Sequence, residues 1–451
     1  MTTDAIDERY RDANPRSREA FERQRKAIAG GYSHLARQLA PFPLFIQENW
    51  GARKRDADGH EYIDYWMGHG AMLLGHAHPA ITQAIADQAG RGTHAGGETE
   101  LATEWATLIK QSVPSAELVR FVASGGEATQ MAMRLARAYT GKEIVVKFES
   151  SMHGWHDAAA VGGPPHGATR PPGVPDAVGN TLLLLPVNDL AAAERALTTR
   201  DDVAAVIMEP AGPHSETVPI DPGFLRGVRE LTAQHGVLLI FDEVVSGFRY
   251  AIGGAQEHFG VIPDLTALGK IIGGGLPCGA LVGAGEVMEL FEWRADQHWQ
   301  RSRMIPHSGT WNAAPVTAAA GVTALRLVRE TGAGDRARAL AQRLIGSINT
   351  LFSDLDVKAF AYGRSSIVRL CPGEAPPLVR EDYSAAQADG RQLAAGWGPV
   401  GPVLRKAMIL EGIDLMGTQG FLSAAHSEDD VDATCEALGR AIASMRKAGW
   451  L

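Results

Sequence analysis

Short apolar runs recur through the middle of the chain at residues 118–123 (LVRFVA), 144–148 (IVVKF), 181–185 (TLLLL), 203–208 (VAAVIM), 237–241 (VLLIF), 265–268 (LTAL) and 279–283 (GALVG). None alternates apolar with polar residues, so each predicts a strand covered on both faces, as in a mostly parallel sheet. Helix-patterned segments separate several of them. Within 126–139, Ala128, Met131, Ala132 and Leu135 share one face, and Gly141 follows as a stop signal. Strand–helix alternation across residues 118–283 predicts an α/β fold, with ligands expected beyond the carboxyl ends of the strands.

The flanks read differently. Residues 1–40 pattern as helix with weak apolar periodicity, ending at Gly30-Gly31. In PFPLFIQENWGARKRDADGHEYIDYW, the pair Asp58-Gly59 sits between two alternating stretches and predicts a hairpin. From about residue 320 the order becomes long helix, short strand, helix: a helix pair over 316–352 broken near Thr331-Gly332, and a final amphipathic helix over 427–447. The expected division is an N-terminal arm with part of a small domain (1–70), a large domain (71–320) and a smaller α+β C-terminal domain (321–451). One stretch, GGPPHGATRPPGVPDAVGN (162–180), is rich in glycine and proline. A loop of that length inside a compact domain is either disordered or a functional lid.

With 45% apolar and 21% charged residues, the chain of 451 residues is too apolar for a disordered protein. Its net charge of −9 argues against a general affinity for nucleic acid. No apolar run approaches the roughly 18 residues a membrane helix needs, and the charged N-terminus lacks the apolar core of a signal peptide. Three scattered cysteines, Cys278, Cys371 and Cys435, suit neither a disulfide framework nor a structural zinc site. A soluble cytoplasmic protein is expected, large enough to hold a cofactor. Fifty-one glycines, many clustered between apolar runs, indicate tight turns and close backbone approach.

Three features carry candidate chemistry. In TALGKIIGGGLP (266–277), Lys270 ends an apolar strand and faces a triple glycine. Burial there would lower its pKa and make it a Schiff-base nucleophile, unless it simply snorkels from the strand end. Asp242 closes the run VLLIF, where a buried carboxylate needs a cationic or hydrogen-bonding partner. A protonated pyridine nitrogen is one such partner, as in pyridoxal phosphate chemistry; capping the next helix is the other role open to it. Ala123-Ser124-Gly125-Gly126-Glu127-Ala128 joins a strand to a helix, and free N–H groups at such a turn suit a phosphate. By itself a glycine-rich turn of this kind is a weak signal.

Taken together, the order of cradle, aspartate and lysine resembles the fold-type-I pyridoxal 5'-phosphate enzymes. In detail the chain resembles the class III aminotransferases, and within them the glutamate-1-semialdehyde aminomutase branch. DEVVSGFR (242–249) and TALGKIIGGGLPCGA (266–280) are specific matches, and so is GFLSAAHSEDDVD (420–432). The loop PPGVPDAVGN (171–180) is similar to the mobile active-site loop of that branch. The resemblance spans nearly the whole chain and implies a large, mostly parallel seven-stranded sheet domain with a smaller α+β domain.

It also implies roles. Lys270 would form the internal aldimine and move the proton, Asp242 would keep the pyridine nitrogen protonated, and Val244 would pack on one ring face. Gly125 and Gly126, with Ser124 beside them, would bind the phosphate. Thr310, in HSGTWNAAP (307–315), would contact the phosphate of a neighbouring subunit, implying a homodimer with shared active sites. Met152 and His153 would lie near the cofactor, and Glu209 near a cofactor oxygen or in a structural strand-end role. Arg37, in GGYSHLAR (30–37), aligns with an arginine that receives a substrate carboxylate; an ordinary surface arginine is the competing reading.

Two positions depart from the family pattern. Gly126 stands where a threonine is usual, and Met152 stands where an aromatic residue usually stacks on the ring. Both changes predict weaker cofactor retention. The histidines at 153 and 156, and at 69, 76 and 78, lack the further ligands that would make a metal site convincing. The activity so implied is transfer of an amino group from an amino donor to a carbonyl acceptor. An aminomutase, or a racemase, epimerase or decarboxylase on the same scaffold, stays open because fold does not choose the reaction. Against the aminomutase, EVMELFEWRADQHWQRSRMIPHSG (286–309) is longer and more charged than expected there.

Overall fold

A computed structural model describes residues 5–163, 169–374 and 390–451. These divide into two compact units, one of residues 79–163, 169–332 and 390–394, the other of residues 5–78, 333–374 and 395–451. The expected boundary at 320 would cut the helix Pro315–Glu330. That helix packs on the helices Pro79–Ala89 and Glu100–Ser112 and on the turn Lys270–Gly273, which is why it belongs with the sheet unit.

All seven apolar runs form strands of one sheet. Across it lie Leu118–Val122, Gly279–Gly283, Leu265–Gly269, Leu238–Asp242, Val203–Met208, Ile144–Phe148 and Leu182–Leu185. Only Gly279–Gly283 runs against its neighbours; the other strands are parallel. The unbroken apolar character now has its cause in two covered faces. Val145, Ala205, Ile207 and Ile240 pack with Ala132, Leu135 and Ala136 of the helix Gly125–Thr140. The alternate residues Val146, Val206, Met208 and Leu239 pack with Ala193 and Leu197 of one helix (Leu190–Thr199) and Phe224 and Val228 of another (Pro222–Gln234). The helix Gly125–Thr140 is capped by the Ser124 hydroxyl and ends at Gly141 in the left-handed region.

In the other unit the hairpin at Asp58-Gly59 pairs Arg53–Asp56 with Glu61–Asp64. The N-terminal helix is two helices, Ala5–Ala13 and Pro15–Gln24, because Pro15 restarts the chain at a first helical position. It stops before Gly30-Gly31, which follow in a short 3-10 turn. The expected helix pair is split at Gly332 into Pro315–Glu330, which belongs to the sheet unit, and Ala333–Asp354, which belongs to this one; the last helix here is Glu428–Lys447, with a capping box at Ser427 and Asp430. Of the loop 162–180, residues 164–168 lie outside the described residues; Asp176–Gly179 forms a single helical turn. Among the described residues no helix is long and apolar enough to cross a membrane.

A buried ion cluster ties this unit's sheet together. Lys54 Nζ lies 2.6 Å from Asp64 Oδ1 and 2.8 Å from Asp414 Oδ2, His76 Nε2 lies 2.7 Å from Asp64 Oδ2, and Arg405 Nε lies 3.1 Å from Asp414 Oδ1. Burial pushes the Asp64 carboxyl up, but Lys54 and His76 outweigh it and hold it well below the usual range. Removing one partner leaves a buried charge uncompensated. Lys54→Met is therefore expected to destabilise the protein by about 3 kcal/mol, read as a lower urea midpoint. An unchanged midpoint would contradict the coupling.

Candidate active site

The carboxyl edge of the parallel strands gathers the chemistry. Lys270 follows the strand Leu265–Gly269 directly, and its backbone sits in the left-handed region with φ of +52°. A lysine held there is strained, and such strain persists only where surrounding structure enforces it. The enforcement is visible: Trp105 Nε1 donates to Ile272 O at 2.9 Å. Gly274 lets the helix Pro315–Glu330 close in, since a Cβ there would lie 2.6 Å from Ala320 O. Burial pushes the Lys270 ammonium below its ordinary range, with Asp242 and Glu209 opposing and Arg249 assisting.

Asp242 ends the neighbouring strand, buried, with Oδ2 2.8 Å from His153 Nδ1 and Oδ1 accepting from Val244 N at 3.1 Å. A carboxylate only accepts, so His153 carries its hydrogen on Nδ1. Its Nε2 is buried with no partner among the described residues. Glu209 follows the next strand, Val203–Met208. It accepts three backbone N–H bonds, from Met152 at 2.9 Å, His214 at 2.7 Å and Ser215 at 2.9 Å. Burial and the charge of Asp242 push its carboxyl up against those bonds.

At the strand end after Val122, the first helical N–H groups of Gly125 and Gly126 have no intrahelical acceptor. Ser124 is engaged otherwise, its Oγ accepting from Glu127 N at 3.2 Å. A Cβ on Gly125 would lie 2.7 Å from Val244 Cγ2, so the cradle needs glycine there. At Gly126 the nearest atom to a Cβ is Gly154 Cα at 3.6 Å, an ordinary contact, so a Cβ is accommodated there. An N–H cradle, a buried aspartate, a depressed lysine and an orphaned histidine nitrogen at one sheet edge fit a phosphate-bearing pyridine aldehyde.

Residues 34–358 match the class III aminotransferase family model. The chain belongs to the class III aminotransferase family. Among its relatives is "Glutamate-1-semialdehyde 2,1-aminomutase 2" of Brevibacillus brevis, 38% identical over 96% of this chain and 99% of the relative. An ω-transaminase from Sphaerobacter thermophilus superposes with a TM-score of 0.86 at 34% identity, covering 95% of this chain and 98% of that one. A glutamate-1-semialdehyde aminomutase from Pseudomonas aeruginosa PAO1, solved in complex with PMP, gives 0.85 at 26% identity, covering 97% and 96%. The class III assignment makes this chain an enzyme with pyridoxal 5'-phosphate as its cofactor.

Of the residues singled out in the sequence, Ser124, Gly125, Gly126, Met152, His153, Glu209, Asp242, Val244 and Lys270 all lie at strand ends, or in the loops and helix starts that follow them, at the sheet unit's carboxyl edge. Glu209 meets backbone N–H groups rather than open space, and Met152 is 43% exposed. Thr310 is exposed in the same unit; its carbonyl accepts from His94 Nε2 at 2.6 Å, and it borders an open cleft of about 810 Å³ that reaches Ala123 and Glu127. Arg37 lies in the other unit, exposed, donating to Ser33 Oγ at 2.7 Å. His156 turns to Thr129 Oγ1 at 3.3 Å.

Sequence reading passed over three buried charges. Arg249 closes the quoted motif DEVVSGFR, and burial pushes its guanidinium down to about 10. Glu243, beside Asp242, is structural: its carboxylate accepts from Ser246 Oγ at 2.8 Å, Ala255 N at 2.6 Å and Gln256 Nε2 at 3.0 Å. Lys147 interrupts the run IVVKF, and a lysine inside a strand buried on both faces was the available signal.

The ordinary Cβ contact at position 126 makes Gly126→Thr testable. The added hydroxyl is expected to tighten pyridoxal phosphate binding about three- to tenfold, whereas Gly125→Ala, pressed against Val244, should weaken it about tenfold or more. Titration of the apo-protein with cofactor reads both, and an unchanged Kd for Gly126→Thr would refute the weak-cradle reading.

Proposed function

We propose that this class III enzyme is an aminotransferase that moves an amino group from an α-, β- or ω-amino acid to a keto acid or aldehyde. The observation that carries the reading is the meeting of Lys270, Asp242 and the Gly125-Gly126 cradle at one sheet edge. Bound pyridoxal phosphate supplies an electrophilic carbonyl carbon and an electron-withdrawing ring. The chain supplies the rest. Gly125 and Gly126 N–H would hold the phosphate, with Ser124 shaping the turn, and Val244 would pack against the ring. Asp242 would hold the ring nitrogen and favour its protonated form, while His153 Nδ1–H fixes that carboxylate. Lys270 Nζ, its charged form disfavoured by burial, would hold the cofactor and serve as the base that takes up and returns the substrate proton.

The enzyme is proposed to act as a homodimer in which the partner subunit's Thr310 reaches the phosphate. The exposure of Thr310 at the border of the cleft by the cradle supports this. Arg37 is proposed to receive a substrate carboxylate. A second reading, glutamate-1-semialdehyde 2,1-aminomutase, is favoured by the names of the relatives at 38% identity. The length and charge of the segment after Gly285, where Arg294 pairs with Glu289 and Glu292, are the reason the aminotransferase is placed first.

A single-turnover screen of the holoenzyme with α-, β- and ω-amino acids, plain amines and glutamate semialdehyde separates the readings. Loss of the visible cofactor band with release of a keto or aldehyde product is expected. A band that persists while glutamate semialdehyde isomerises would replace the aminotransferase with the aminomutase. For Arg37→Ala, KM for carboxylate substrates is expected to rise about tenfold or more while KM for plain amines stays put. Equal effects on both would remove Arg37 from substrate recognition.

A further inference from the structure

Three consecutive residues of the turn after the strand Ile144–Phe148 are each held by a buried charged side chain, and the three charges come from three adjacent strands. Lys147 Nζ, on the turn's own strand, donates to Ser151 O at 3.4 Å and to Ala159 O at 2.8 Å. Glu209, just past the strand Val203–Met208, accepts from Met152 N at 2.9 Å. Asp242, ending the strand Leu238–Asp242, accepts from His153 Nδ1 at 2.8 Å. Thr129 Oγ1 adds a bond to His153 O at 2.5 Å from the helix behind the cradle. The turn carries strain at Ser150, whose φ is +64°, while Gly154 with φ of +100° takes up its far end without cost.

Lys147 is the odd member. Its side chain is fully buried, yet among the described residues its bonds go to carbonyl groups and to no carboxylate. A buried cation carries a desolvation cost that bonds to two carbonyl groups offset only in part. The groups facing it electrostatically are Glu209, Asp242 and His156. Burial pushes its ammonium down to about 8, against the pull of both carboxylates.

We propose that Lys147 is a positioning residue that clamps the Ser151–His153 turn, with Glu209 as its opposite jaw, so that Met152 and His153 are preset for the cofactor. The inference rests on the proposed cofactor-facing roles of Met152 and His153. The clamp itself is a property of the apo-protein and can be tested there. Amide hydrogen exchange of the peptide over residues 149–156 reads the clamp, and cofactor titration reads its consequence.

In Lys147→Met, exchange of that peptide is expected to rise about fivefold to tenfold and the cofactor Kd to rise by a similar factor, because charge-assisted bonds are lost. The thermal midpoint of the apo-protein should stay level or rise, since a buried cation has been removed. In the native sequence, protection of the same peptide should fall as pH rises from 7 to 9.5, after correction for intrinsic exchange. His156, pushed down to about 4, stays neutral throughout that window. Lys270 shares Asp242 and Glu209, so Lys270→Ala serves as the control, and the pH dependence should survive in it.

Exchange at 149–156 that matches the native protein in Lys147→Met overturns the clamp. So does a lowered midpoint with faster exchange across the whole sheet unit, which would make Lys147 a plain stability residue. Faster exchange with an unchanged Kd overturns the link to the cofactor while leaving the aminotransferase reading intact. Should Lys147→Met not fold, a flat pH profile in the native sequence, or one abolished by Lys270→Ala, overturns the proposal alone.

Discussion

Charge buried at the carboxyl edge of one parallel sheet is the constraint on which the sheet unit depends. Parallel strands need both faces covered, and covering them here removes water from the strand ends as well. Lys147, Glu209, Asp242 and Lys270 sit on or directly after four adjacent strands, so both lysines and Glu209 are desolvated and both lysines feel the two carboxylates. Desolvation lowers both lysines and raises Glu209, and the mutual attraction of opposite charges limits how far. Lys270, the lysine proposed as the nucleophile, thereby has its charged form disfavoured by the same fold that places it.

The charges do not satisfy one another through direct ion pairs. Their bonds go to loop backbone and to His153. A direct pair between Lys270 and Asp242 would have spent both groups on each other. Routing Asp242 to His153 and Glu209 to three N–H groups leaves the lysine available and turns each carboxylate into an anchor for a loop. The cluster of the other unit works the opposite way. Lys54, Asp64, Asp414 and Arg405 close on one another directly, and that arrangement serves to hold a sheet rather than to react.

The two departures from the family pattern take on distinct meanings once geometry is known. Gly126 is a simple loss of a hydroxyl: the backbone turn is intact and a Cβ there would make only an ordinary contact with Gly154. Met152 keeps its backbone role, donating its N–H to Glu209, while its side chain stays 43% exposed. The turn is thus preserved at the level of the main chain even where the side chain differs. Backbone bonds to Glu209 do not depend on which side chain position 152 carries.

The strands, the helix after the cradle, the hairpin at Asp58-Gly59 and the split at Gly332 were all legible in the chain, because apolar periodicity and glycine stops act over a few neighbouring residues. Lys270, Asp242 and the Gly125-Gly126 turn were legible too, as polar residues terminating apolar runs. Strand order was not: nothing local says that Gly279–Gly283 inserts antiparallel between Leu118–Val122 and Leu265–Gly269. Nor could spacing say that the boundary lies at Gly332, since that depends on what the helix Pro315–Glu330 packs against. The sequence alone determined which residues are chemically able and that each lies at a strand end. Only the tertiary structure decided that Lys147, Glu209 and Asp242 grip three successive residues of one turn, because that grip exists between strands brought side by side by the fold.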